Sequence, residues 1–68
     1  MSVCIDRVNL IAEMARRHMS VNQLVELSGV SRVTITAARS GKSVSQATAE
    51  KLAAGLGVSV ADIIEEGG

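Results

Sequence analysis

The segment from Ser20 to Gly41 limits the fold most, because it spells two short helices joined by one tight turn. Ser20 and Ser31 are both strong N-cap residues, each followed by an apolar-periodic run of about two turns. Between them Ser28-Gly29-Val30 makes the turn, Gly29 supplying the positive φ that ends the first of the two helices. Helices this short on so brief a linker must cross steeply. That is a helix-turn-helix arrangement, which leaves one side of the second helix free.

The same start signal recurs along the chain. An apolar residue, a serine and an apolar residue four positions beyond it appear as Met19-Ser20…Leu24, Val30-Ser31…Ile35, Val44-Ser45…Ala49 and Val58-Ser59…Ile63. In each, the two apolar residues occupy N′ and N4 and can close a hydrophobic staple, and Gln23 adds a capping box to Ser20. With an opening helix near Asp6, the pattern predicts helices over 6–17, 21–28, 32–39, 46–55 and 60–65, and no strand. The run Val33-Thr34-Ile35-Thr36 has β-propensity, but the cap before it and the small residues after it favour helix. His18 stands where a left-handed residue ends the first helix, and Gly41 and Gly57 suit stops after the third and fourth. The expected core is Leu10, Ile11, Met14, Leu24, Leu27, Val30, Ile35, Leu52, Leu56, Val58 and Ile63. Gly67-Gly68 is expected to be a frayed end. The fold predicted is all-α, a compact five-helix bundle with a central helix-turn-helix over about 20–41, in a single domain spanning 1–68.

At 68 residues the chain is near the size where one core is only marginally stabilising. It has no Phe, Tyr or Trp, so Leu, Ile, Val, Met and Ala must fill the interior, and dimerisation is an expected further source of stability. A single cysteine, Cys4, cannot close an internal disulfide and fits a reducing compartment. No stretch reads as a signal peptide or a membrane span, and the expectation is a complete, cytoplasmic chain. Net charge is zero, but it is segregated. Met14 to Ser45 carries Arg16, Arg17, Arg32, Arg39 and Lys42 against Glu26, a balance of +4. From Gln46 onward Lys51 faces Glu50, Asp62, Glu65 and Glu66, a balance of −3.

Catalysis finds no support in these residues. His18 and Cys4 lie on different elements with no third member of a triad, and no carboxylate pair flanks a cleft. His18 lacks partners for a metal site, and Met1, Met14 and Met19 suit core or staple positions better than a soft-metal site. No cofactor and no small-molecule ligand is implied. The lack of aromatic residues also argues against single-stranded nucleic acid, which is bound on stacking platforms.

The chain resembles the compact DNA-binding domains of the Cro and phage-repressor type, the XRE family. The likeness rests on Met19-Ser20, Leu24, Gly29-Val30-Ser31-Arg32 with Thr34-Ile35, and Gly41-Lys42. It continues through Thr48, Lys51-Leu52-Ala53, Leu56-Gly57-Val58-Ser59 and Asp62-Ile63-Ile64. It implies operator binding on double-stranded DNA and transcriptional regulation, commonly as a homodimer. Four positions depart from the family pattern. Val21 stands where a glutamine usually holds a phosphate, and Val25 stands where alanine is preferred, with a small Ala38 on the facing helix. Met14 and Arg39 stand where an arginine–glutamate pair is common, which leaves Arg39 unpaired and available to a phosphate.

If the helix over 32–39 enters the major groove, Ile35 and Ala38 face inward and the base-contacting set is Arg32, Val33, Thr36 and Ala37. Arginine forks onto guanine O6 and N7, valine and alanine pack on thymine methyl groups, and threonine hydrogen-bonds a base edge. The phosphate candidates are Arg16, Arg17, Ser20, Asn22, Arg39, Ser40 and Lys42. Val60, Ile63 and Ile64 are the candidate dimer contacts, with Val3, Cys4 and Ile5 as an apolar strip beside them. The function expected is a duplex-DNA-binding regulator, a repressor acting by occlusion. The alternative is a protein-binding module or an antitoxin on the same fold, which the neutral charge, Val21 and an acidic Asp62–Glu66 end would suit.

Overall fold

The computed structural model describes residues 2–65. In chain order it contains β1 (Ser2–Cys4), α1 (Arg7–Arg16), α2 (Val21–Ser28), α3 (Arg32–Arg39), β2 (Ser43–Ser45), α4 (Gln46–Leu56) and a 3₁₀ turn over Val60–Asp62. Met1, Glu66, Gly67 and Gly68 lie outside the described residues, and with them the expectations placed on Met1 and on the Gly67-Gly68 end.

The helices begin where the caps require. The Asp6 carboxylate accepts from the Asn9 N–H at 3.1 Å. The Ser20, Ser31 and Ser45 hydroxyls accept from the N–H groups of Gln23, Thr34 and Thr48 at 3.1, 3.3 and 3.1 Å. Each removes one of the donors that a helix start leaves without a partner. Gln23 completes the capping box, its Oε1 accepting from the Ser20 N–H at 2.8 Å. The staples close beneath these caps, with Leu24, Ile35 and Ala49 fully buried and Val30 and Val44 nearly so. His18 ends the α1 region with φ of 50° and Gly29 ends α2 with φ of 73°, both left-handed.

The bundle is not purely helical. β1 and β2 pair antiparallel in the register Ser2↔Ser45, Val3↔Val44 and Cys4↔Ser43. On its other side the same N-terminal segment meets the chain's end. Ile5 bridges Ile64, the Glu65 N–H donates to the Cys4 carbonyl at 2.9 Å, and the Asp6 N–H donates to the Ile63 carbonyl at 2.8 Å. Among the described residues four α-helices stand where five were expected. The predicted helix over 60–65 shortens to the 3₁₀ turn because the chain must straighten at Ile64 to make that bridge. The Asp62 carboxylate holds the turn by accepting from the Ser59 N–H at 3.1 Å.

The core is one cluster: Ile5, Leu10, Met14, Leu24, Val30, Ile35, Ala38, Val44, Ala49, Leu52, Ala53, Leu56 and Ile63. Two expected members are outside it, Ile11 and Leu27, and Val58 only packs against its edge. On α2 the residues turned toward the body are Val21, Leu24, Val25 and Ser28, and Leu27 lies roughly 110° around the helix from the middle of that face. α2 packs most extensively on α4, where Gly55 permits the approach. A Cβ on Gly55 would stand 2.9 Å from the Ser28 Cβ and 3.2 Å from a Leu24 methyl. The Ser28 hydroxyl, held there, donates to the Leu24 carbonyl at 2.6 Å and accepts from the Val30 N–H at 3.2 Å, so it stitches the turn between α2 and α3. No described helix is long and apolar enough to cross a membrane.

Candidate nucleic-acid interface

α3 is held from behind and bare in front. Ile35 and Ala38 are fully buried against the body, and Ser31 caps the helix start. Val33, Thr36, Ala37 and Ser40 follow the spacing i, i+3, i+4, i+7 and therefore form a single outward stripe. Together with Arg32 and Lys42 they line an open concavity of about 410 Å³. Val33 is 80% exposed, the most exposed large apolar residue among the described residues. Arg32 occupies the first helical position with no acidic residue in that turn, so its charge opposes the helix dipole. Arg32 forms no ion pair among the described residues. Its location is therefore not explained by the stability of α3.

The four residues assigned to base contacts thus meet two of the phosphate candidates, Ser40 and Lys42, in one groove. The others stand elsewhere. Arg16 and Arg17 are engaged by Glu13, Arg16 Nη1 lying 3.1 Å from Oε2 and Arg17 Nη1 2.7 Å from Oε1. Arg17 also donates to the Glu13 carbonyl at 2.9 Å. The Arg17 hydrogen bond, with the charge of both guanidiniums, holds the Glu13 carboxyl below its ordinary range. Glu13 lies just outside the Met14–Ser45 stretch, so the positive balance there overstates the free charge. Ser20 has its N–H committed to Gln23, and its hydroxyl oxygen accepts from the N–H of the same residue. Asn22 is exposed beside it, whereas Val21 packs against the core instead of presenting a polar group. Arg39 is exposed in the last turn of α3, where its charge suits the helix dipole, but it is off the groove.

One basic residue beside the Ser40–Lys42 turn has no counterpart in the sequence-based set. Arg7, the first residue of α1, lies against Gly41, its Cδ 3.4 Å from where a Cβ on that glycine would stand. No local spacing signals this neighbourhood, because 34 positions separate the two residues in the chain. Among the candidate dimer contacts, Ile63 is 0% exposed and has no surface to offer a second copy. Val60 and Ile64 are half-buried against the same core, Ile64 in the bridge to Ile5. Of the N-terminal strip, Ile5 is core, Val3 is half-buried and Cys4 is exposed, with Sγ 3.6 Å from the Ser43 hydroxyl. Among the described residues, no three His, Cys, Asp or Glu side chains gather as a metal site would require.

A capped helix with an outward polar and apolar stripe, set behind a tight turn, defines a helix-turn-helix DNA-binding domain. The family model for the Cro/C1-type HTH DNA-binding domain matches residues 9–65, and the chain belongs to that family. Neither curated proteins nor solved structures give a match.

Proposed function

We propose that this protein is a sequence-specific regulator of transcription that binds a short double-stranded DNA operator, reading the major groove through α3 and repressing by occlusion. The observation that carries this is the groove in which Arg32, Val33, Thr36, Ala37, Ser40 and Lys42 converge. Its middle offers apolar and hydroxyl groups suited to base edges, and its rim offers charge suited to phosphates. Arg32 is the guanine reader, Val33 and Ala37 meet thymine methyl groups, and Thr36 reaches a base edge. Lys42 and Ser40 hold the backbone, with Ser20, Asn22 and Arg39 as flanking contacts. Arg16 and Arg17 contribute only if the duplex competes with Glu13 for them.

So few contacts per chain give weak discrimination, and a homodimer on a two-fold site would double them. Val60 and Ile64 keep enough exposed surface to take part, while Ile63 acts from beneath as support. The site of action is the cytoplasm, where the DNA is. The competing reading, a protein-binding module or antitoxin, draws on the exposure of Val33 and on the inward Val21.

Titration of labelled duplexes against Arg32→Ala and Lys42→Ala separates the two. A DNA-reading role predicts that Arg32→Ala loses about 1–3 kcal/mol of discrimination between preferred and scrambled sequence. Lys42→Ala should weaken both duplexes alike and lower the salt slope by close to one. Unchanged duplex binding in both folded variants, with a partner protein lost instead, would overturn the assignment.

A further inference from the structure

Arg7 lies in the N-terminal segment that precedes the residues matched by the family model. Its stem lies flat against Gly41, Cγ and Cδ standing 4.0 and 3.4 Å from the position of an absent Cβ. Gly41 has φ of 85° and sits between Ser40 and Lys42, two residues that line the α3 groove. Arg7 does not line the groove itself, but its stem packs, from a different helix, on the Ser40–Lys42 turn that borders it. It makes no ion pair among the described residues. Its neighbour Asp6 is occupied in capping α1 through Asn9. No acidic residue occurs between Glu26 and Glu50, so the loop it leans on carries only positive charge. A cation at the first position of α1 works against the dipole of its own helix, so local stability does not account for it.

We infer that Arg7 is a DNA-phosphate contact that works with Lys42 from its seat on Gly41, extending the backbone grip beyond the helix-turn-helix. This rests on the proposed function, and it adds a contact from α1 to the same site. The contact is electrostatic and sequence-independent, so it acts on affinity and salt dependence and leaves base preference alone.

The test uses the full chain and fluorescent duplexes between 50 and 200 mM salt, with thermal unfolding followed in parallel. Arg7→Gln keeps the carbon stem over Gly41 and removes only the charged head. The expected result is a salt slope smaller by about 0.9, so that the variant's deficit shrinks by about 3.5-fold across that range. Arg7→Lys should retain the wild-type slope, and the melting temperature of Arg7→Gln should be equal or higher. Lys51→Gln removes a charge from α4 and should leave the slope unchanged. An unchanged slope in Arg7→Gln, while Lys42→Ala lowers it, overturns the inference and leaves the proposed function standing. A Lys51→Gln effect as large as that of Arg7→Gln also overturns it, as general charge and not a contact. A wild-type protein that binds no duplex removes the proposed function itself.

Discussion

Glu13 shows how one side chain decides what two others can do. It draws Arg16 and Arg17 together on α1, and their charge in turn keeps its carboxyl ionised to lower pH than usual. A carboxyl whose folded pKa is depressed stabilises the native state above its unfolded value, 4.5, and loses that contribution as pH falls through the folded value. The stability difference between wild type and Glu13→Gln is thus expected to be level at neutral pH and to shrink below about pH 4.5. Chemical denaturation across pH 3 to 7 measures it. A difference that grows on acidification would contradict the assignment. Met14 is buried in the core and Arg39 stays in solvent, so no ion pair joins α1 to α3 at these two positions.

The caps at Asp6, Ser20, Ser31 and Ser45 mark their helices in the sequence, but the one at Ser59 opens only a 3₁₀ turn, and the elements made by pairing carry no such signal. α2 and α3 run as their serines predict, Val21–Ser28 and Arg32–Arg39, and α4 ends one residue beyond its expected limit. Ser31→Ala should cost about 1 kcal/mol, within the 0.5–2 range typical of lost N-caps, by exposing the Thr34 N–H at the start of α3. Ser31 Oγ also lies 2.8 Å from Thr34 Oγ1, which the same variant removes. Urea unfolding checks this, and no change in midpoint would count against the cap. The strands escaped notice because each is three residues long, too short for a period of two to register. Val44-Ser45 also reads equally well as a staple and cap, and it serves as that too. The outward stripe of α3 is legible in the sequence, being helical arithmetic, whereas the contact of Arg7 with Gly41 is not, because only the folded chain brings the two together.

The molecule as a whole is closed by its N-terminal segment. Ile5 lies in the centre of the core while its backbone neighbours bond to both β2 and the chain's end. In a protein this small and without aromatic residues, few side chains contribute as much as Ile5. Ile5→Ala is expected to destabilise by about 2–5 kcal/mol, enough to leave a partly unfolded population at 37 °C. Circular dichroism melting measures the loss. A shift of only a degree or two would mean that the N-terminal segment is dispensable.

Ser45 ends the sheet and caps α4 with the same residue, opposite Ser2 on one side and bound to the Thr48 N–H on the other. No slack separates the two structures, so neither opens without disturbing the other. The stretch that leaves α3 is thus clamped at its far end. The Ser40–Lys42 turn therefore runs between two fixed points, the end of α3 and a strand tied to both the sheet and α4.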